Sequence, residues 1–209
     1  MKVLIGTTNP SKVKRFKELL KDYNVEFFTL KDLNIEDEPN EIGTNPEENA
    51  IIKTKFYSKY FDVVICNDSG LYFNELSLED SRQPGLNIRT PNGCNRLNDE
   101  EMISYYANLI KSLGGMVTAY YLDGIAVYNN GMFHSFMDID ANVKTDSFYM
   151  IDKPSIKRHA GWPLDSLSVN KNSGKYFVDD SISESKDNIF INDYKIKITS
   201  FLKKALNIK

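Results

Sequence analysis

Thr7-Thr8-Asn9-Pro10-Ser11-Lys12 lies between the apolar run Val3-Leu4-Ile5 and a stretch with helical apolar spacing. A strand-to-helix turn of this kind gathers free backbone N–H groups and a lysine in one place, which is chemistry for a phosphate. The same residues also make an ordinary helix start, with Asn9 as the cap and Pro10 in the first position. Lys12 bears on the choice, because a cation in the first helical turn opposes the helix dipole unless an anion sits beside it. Neither GxxxxGK[ST] nor GxGxxG occurs in the chain, so the usual nucleotide fingerprints do not decide the matter.

Two carboxylates could complete such a site. Glu48 falls at the third position of a second helix that opens with Asn45-Pro46, where glutamate commonly closes a capping box. A metal ligand is the alternative to that cap, with Asn49 and Lys53 either ordinary solvated residues or members of the site. Asp68 sits in Asn67-Asp68-Ser69-Gly70, four turn formers at the end of a buried apolar run. A carboxylate at the tip of a buried strand is also where a Mg²⁺ ligand or general base is held, and open α/β sheets gather ligands beyond their strand ends. Other chemistries fit poorly. His134 and His159 are the only histidines and lack a metal-ligand spacing partner, which argues against zinc. No GxSxG elbow exists to make Ser69 a nucleophile.

The elements that must position these residues follow from periodicity. Lys2 to Gly6 reads as a first strand, and Val13, Phe16, Leu19 and Leu20 share one face of the helix after it. Val25 to Leu30 reads as a second strand, followed by an acidic loop from about Asn34 to Asn45. The next helix runs from about Pro46 to Tyr60, with Ala50, Ile51, Thr54 and Tyr57 or Ser58 facing inward. Asp62 to Cys66 has the continuous apolar pattern of a central strand and is expected to stop at Asn67. Ser77 to Leu97 reads as irregular, and Asp99 to Ser112 as a helix. From Met116 to about Val143 the chain turns antiparallel, with Asn129-Asn130-Gly131 as a hairpin signal. His159 to Gly174 is loop-like, and a last helix runs to about Leu206. The expectation is an α/β fold with a mixed central sheet flanked by helices and an antiparallel second lobe.

Composition bounds the function. The 209 residues are 41% hydrophobic and 26% charged, with a net charge of −3, which suits a globular chain and argues against a nucleic-acid backbone binder. No apolar stretch approaches a membrane span and no polybasic tract suggests a membrane surface. Cys66 and Cys94 form no CxxC pair. Reduced thiols and no signal-peptide pattern give a cytoplasmic expectation.

Together these segments resemble the inosine triphosphate pyrophosphatase family, enzymes that clear non-canonical purine nucleoside triphosphates. The family's T-G-N-x-x-K is matched by Thr7 to Lys12 except that Thr8 replaces glycine. Its E-N-A-x-x-K is matched in full by Glu48-Asn49-Ala50-Ile51-Ile52-Lys53. Its D-D-S-G-L is matched by Asn67 to Leu71 with Asn67 for the first aspartate, and Pro84-Gly85 with Arg89 resembles the loop that follows. In the second half, Trp162-Pro163-Leu164-Asp165-Ser166 stands for F-G-Y-D-P, and Lys175-Tyr176-Phe177 for K-T-F. Lys186 stands for the lysine that reads the purine. The family's S-H-R is absent, its place taken by Phe190-Ile191-Asn192-Asp193. A site without those donors discriminates less between bases.

The resemblance implies one ITPase-like domain, spanning residues 1–209, of two lobes with a cleft between them, and a homodimer. It implies a Mg²⁺-dependent nucleoside triphosphate pyrophosphatase yielding a nucleoside monophosphate and pyrophosphate. Thr7, Thr8, Asn9 and Lys12 would form the phosphate wall, Glu48 and Asp68 would hold the metal, and Asp68 would activate water. Lys53 would neutralise developing charge, Ser69 would bond a phosphate oxygen, and Trp162, Asp165 and Lys186 would meet the base. The alternative is a nucleotide-binding protein of the same fold with little or no catalysis, since Thr8, Asn67 and the lost S-H-R are departures at site positions.

Overall fold

A computed structural model describes residues 1–139, 147–159, 162–179 and 189–209, with the backbone alone for 189–194. The described chain divides into two compact units. The first comprises Met1–Ser69, Leu122–Asp138 and Asn192–Lys209, and the second Gly70–Tyr121 and Ile139–Ile191. Lys186 lies outside the described residues.

The first unit begins as two βαβ turns. Strand β1 (Lys2–Ile5) leads through helix α1 (Pro10–Leu19) to β2 (Glu26–Thr29), and helix α2 (Pro46–Tyr57) leads on to β3 (Val63–Phe73). β1 pairs parallel to β2 from Lys2↔Glu26 to Ile5↔Thr29, and parallel to β3 at Leu4↔Val64 and Ile5↔Ile65. Side chains alternate across the sheet, so its two faces fill with different helices. Val3, Ile5, Val63 and Ile65 pack against Phe16 and Leu20 of the α1 segment and against Ile198, Leu202 and Ala205 of the last helix, α4 (Ile189–Leu206). Leu4, Val64 and Cys66 pack on the other face with Leu30 and with Tyr57 of α2. The long strand β4 (Met116–Asn129) returns Ile125 and Val127 to the α1 and α4 face. It then pairs antiparallel with β5 (Met132–Phe136), from Ile125↔Phe136 to Asn129↔Met132. Asn130 and Gly131 form the two-residue loop at φ 47° and 95°, the positive-φ pair that a type I′ hairpin needs.

The second unit is built on the other halves of β3 and β4. Val117 and Ala119 of β4 pair with β6 (Phe148–Ile151), which pairs antiparallel with β7 (Ser168–Val169). Helix α3 (Asp99–Ser112) opens with a capping box between Asn98 and Glu101 and buries Met102, Ile103, Tyr106 and Ile110. These meet Leu71, Phe73, Phe148, Met150 and Leu167. The strand order is β2-β1-β3-β4-β6-β7, with β5 on β4.

Two expectations from sequence are corrected. β3 does not stop at Asn67 but runs through Asn67-Asp68-Ser69-Gly70 to Phe73. Leu71 and Phe73 are wholly buried, and their burial in the second core outweighs the turn preference of the four residues before them. On α2 the buried positions are Pro46, Asn49, Ala50, Thr54 and Tyr57, so Asn49 takes the inward place expected of Ile51. A polar residue buried in this way must find partners, and those partners define the candidate site.

Candidate functional site

The site grows from three short segments of the first unit. At the N-terminus of α1, the Asn9 side chain accepts from the Ser11 and Lys12 backbone N–H groups at 2.9 and 3.4 Å, and Thr7 Oγ1 accepts from Asn9 N at 3.2 Å. Asn9 therefore does cap the helix, and its carboxamide oxygen is already committed to that task. Thr8 is exposed and does not adopt positive φ, so the backbone at this position makes no demand for glycine. Lys12 turns from the helix start towards Asp68, its Nζ 3.9 Å from Oδ1. The anion needed beside this cation is thus supplied, at least in part, by the protein itself.

At the N-terminus of α2, Asn45 accepts from Glu48 N at 3.0 Å. The reciprocal half of a capping box is displaced by one residue. The Glu48 carboxylate accepts from Thr44 N at 2.7 Å and Thr44 Oγ1 at 2.9 Å. The backbone hydrogen bond from Thr44, followed by its hydroxyl, holds this carboxyl below the usual range. Asn49 is not a solvated residue. Its Oδ1 accepts from Gly43 N at 2.8 Å while its Nδ2 donates to Asp68 Oδ2 at 3.0 Å. Lys53, one turn on, donates to Asp68 Oδ1 at 3.1 Å and pairs with Glu41 at 2.7 Å.

Asp68 is therefore the hub, with Asn49 on one oxygen and the Lys53 and Lys12 ammonium groups near the other. Burial acts on both lysines, with opposite outcomes. Burial lowers the Lys12 ammonium, and the opposing charge of Asp68 only partly offsets this. For Lys53 burial also lowers, but Asp68 and Glu41 together outweigh it and the group ends above its usual value.

Neighbouring Ser69 alternates to the opposite face of the sheet and donates to Asp123 Oδ1 at 2.6 Å. Arg15 of α1 donates to the other oxygen of Asp123, also at 2.6 Å. Gly124 follows, and a Cβ there would overlap the backbone of Pro46 and Glu47, so β4 closes directly on the start of α2. Glu41, Arg15 and Asp123 escaped the sequence reading. A signal was present for Asp123-Gly124, which interrupts an apolar β run where a charge and a glycine are both disfavoured. Arg15 stands three residues from Lys12 and so on the same side of α1.

Trp162 and Asp165 belong to the second unit. Trp162 is 48% exposed and precedes a 3₁₀ turn, Pro163–Ser166. Asp165 lies 3.0 Å from His159 Nδ1, and burial raises its carboxyl despite that neighbour.

Among the described residues no group of three or more His, Cys, Asp or Glu side chains could hold a metal ion. The carboxylates present still suit magnesium, which takes oxygen ligands, usually one or two carboxylates with phosphates and water completing its shell.

A mixed sheet covered by helices, with a lysine-bearing turn after β1 and a paired carboxylate on β3, defines a class of α/β proteins. The chain belongs to the Ham1 family, whose sequence model matches residues 3–137. It is 39% identical over 87 residues to a dITP/XTP pyrophosphatase of Thermoanaerobacter pseudethanolicus, covering 41% of this chain and 42% of that protein. It is also 39% identical over 74 residues to the dITP/XTP pyrophosphatase of Bacillus subtilis, covering 35% of this chain and 37% of that one. The matched stretch thus spans less than half the length of these curated relatives. The fold is shared throughout with the Staphylococcus aureus Ham1 protein, at a TM-score of 0.73 and 21% identity over 98% of this chain and 99% of that one. A HAM1 protein from Coxiella burnetii gives 0.72 and 19% over 98% and 100%. No helix among the described residues is long and apolar enough to cross a membrane.

Proposed function

We propose that this protein is a Mg²⁺-dependent nucleoside triphosphate pyrophosphohydrolase acting on non-canonical triphosphates of the dITP and XTP type. The observation that carries the reading is the convergence of Asn49, Lys53 and Lys12 on Asp68. Three residues from two helices hold one carboxylate on a central strand, and each comes from a segment that matches the family. A purely structural ion pair would not need all three.

In this reading water attacks the α-phosphorus, the bond to the bridging oxygen breaks, and pyrophosphate leaves. Asp68 takes the proton of the attacking water. It is fixed for that task by Asn49, and the low exposure of its side chain, 15%, limits competition from bulk solvent. Lys12 and Lys53 offset the charge that builds on the phosphate oxygens. The Thr8 backbone N–H and the Thr7 hydroxyl bind phosphate, the other N–H groups of the turn being engaged within the protein, with Thr8 and the Asn9 segment forming the wall. Ser69 bonds a phosphate oxygen once its hydrogen turns from Asp123. Glu48 and Asp68 are the residues that would hold Mg²⁺, which supplies positive charge against the phosphates and acidifies water. Trp162, Asp165 and Lys186 would contact the base. A homodimer and a cytoplasmic location are carried as part of the same proposal.

The test is pyrophosphate release from a panel of nucleoside triphosphates with Mg²⁺, using Asp68→Asn as control. Loss of a positioned base costs roughly 10²- to 10⁴-fold in turnover. Failure to turn over any triphosphate would refute the hydrolase and favour a nucleotide-binding protein. An Asp68→Asn variant as active as the parent would remove Asp68 from the mechanism.

A further inference from the structure

We propose that Arg15 is a third phosphate-binding cation of this site and that Asp123 is its positioning residue. The assignment rests on the triphosphate reading above and adds residues that reading does not use.

The first observation is geometric. β3 alternates, with Val63 and Ile65 on the α1 and α4 face and Val64 and Cys66 on the α2 face. Continued along the strand, Asn67 and Ser69 fall on the α1 face and Asp68 on the other. Ile125 and Val127 put Asp123 on the α1 face as well. The polar residues therefore form two layers: Asp68 with Asn49 and Lys53 on one side of the sheet, Asp123 with Ser69 and Arg15 on the other. Lys12, three residues before Arg15 on the same helix, reaches from α1 to Asp68 and joins them.

The second is electrostatic. Helix α1 has no acidic residue in its first turn, yet carries Lys12, Lys14 and Arg15 near its positive end. This arrangement disfavours the helix unless anions lie beside it. Asp68 answers Lys12 and Asp123 answers Arg15. The Arg15 side chain is 33% exposed and Asp123 only 12%, so the arginine lies on the outer side of the pair. A guanidinium presents its N–H donors in a planar fork, and that fork matches phosphate.

The third concerns what holds the pair. Both oxygens of Asp123 are engaged, by Ser69 and by Arg15. Gly124 presses the strand onto the backbone of Pro46 and Glu47, so Asp123 is anchored at the start of the helix that bears Lys53. Asn67, on the same face as Ser69, is 1% exposed and neither of its side-chain polar atoms has a hydrogen-bond partner. Conflict between local preference and burial is concentrated here: an orphan amide, a charged residue and a glycine lie inside central strands. Such concentrations mark sites rather than scaffolds.

Binding of inorganic tripolyphosphate with Mg²⁺, followed by isothermal titration calorimetry, tests this without turnover. Arg15→Gln is expected to weaken binding roughly tenfold or more, the worth of a charge-assisted hydrogen bond. Arg15→Lys, which keeps the charge but not the fork, is expected to fall between parent and Arg15→Gln. The deciding variant is Arg15→Gln with Asp123→Asn, which removes both charges and keeps their shapes. If Arg15 binds phosphate, this pair stays weakened by about fivefold or more. A return to within about twofold of the parent means that Arg15 only neutralises Asp123, and the proposal is overturned. Tripolyphosphate that does not bind the parent overturns it too. In turnover assays the effect is expected in KM, with kcat held within about threefold. Should Arg15→Gln alone fail to fold by circular dichroism, Arg15→Lys and the double variant carry the same decision. A parent that binds tripolyphosphate through Arg15 but cleaves no nucleotide refutes the hydrolase reading and leaves this assignment standing.

Discussion

Replacing Gly43 by alanine tests whether Asp68 is held by Asn49. Gly43 lies in the loop before α2 and donates its N–H to Asn49 Oδ1 at 2.8 Å. A Cβ at this position would stand 2.6 Å from Asn49 Oδ1, 2.8 Å from Asn49 N and 2.8 Å from Glu48 Cβ. To reach an ordinary contact of 3.4 Å, the Asn49 oxygen must retreat by about 0.8 Å. It has no slack to do so. Asn49 is 4% exposed, its oxygen is tied to Gly43 and its nitrogen to Asp68. The added methyl group must therefore displace the start of α2 or break the Asn49–Asp68 hydrogen bond. Overpacking of this kind costs about 1–3 kcal/mol. Misplacing a reacting group by about 1 Å costs on the order of 10²-fold in rate. Urea denaturation should show the first and pyrophosphate release the second, measured well below the unfolding midpoint. Gly43→Ala with an unchanged midpoint and kcat/KM within about twofold of the parent would show that Asn49 does not set the position of Asp68.

The orphan amide of Asn67 predicts the opposite sign. Asn67→Leu, close in volume, is expected to stabilise the protein by about 1–3 kcal/mol in urea denaturation, because it removes a buried polar group without partners; destabilisation would show that the amide is satisfied. Asp80 is held at about 2 by side-chain and backbone hydrogen bonds from Arg82. Its folded value is depressed, so its contribution is present above the ordinary 3.8 and lost as pH falls through about 2. Arg82→Gln should move its titration back up in an NMR experiment, and an unmoved midpoint would exclude Arg82 as the cause. Burial pushes the Cys66 thiol up to about 12, whereas Cys94 is exposed. A thiol-specific disulfide reagent should label one cysteine in the native protein and both in urea; two fast native thiols would contradict the burial of Cys66.

The alternation of β1, α1, β2, α2 and β3, the caps at Asn9 and Asn45, and the hairpin at Asn130-Gly131 were all legible in the sequence. Each depends on contacts only a few residues apart: a cap bonds two or three positions on, and a turn needs its own φ values. The short motifs around Lys12, Glu48, Lys53 and Asp68 were legible for the same reason. Three features were not. The passage of β3 through Asn67-Asp68-Ser69-Gly70 depends on Leu71 and Phe73 finding a core in the second unit, which no local preference encodes. The burial of Asn49 depends on Gly43 and Asp68 arriving from either side of it.

Asp123 is the clearest case, since its partners Ser69 and Arg15 lie 54 and 108 residues away in sequence. The sequence by itself picked out Lys12, Glu48, Lys53 and Asp68 as suited to phosphate chemistry and put the first three on their helices. Tertiary structure alone decided that Asp68 is shared between helices α1 and α2, and that Arg15 and Asp123 form a second polar layer across the sheet. The physical reason is that a charge is settled by whatever is folded against it, and in this sheet successive residues of one strand meet different helices.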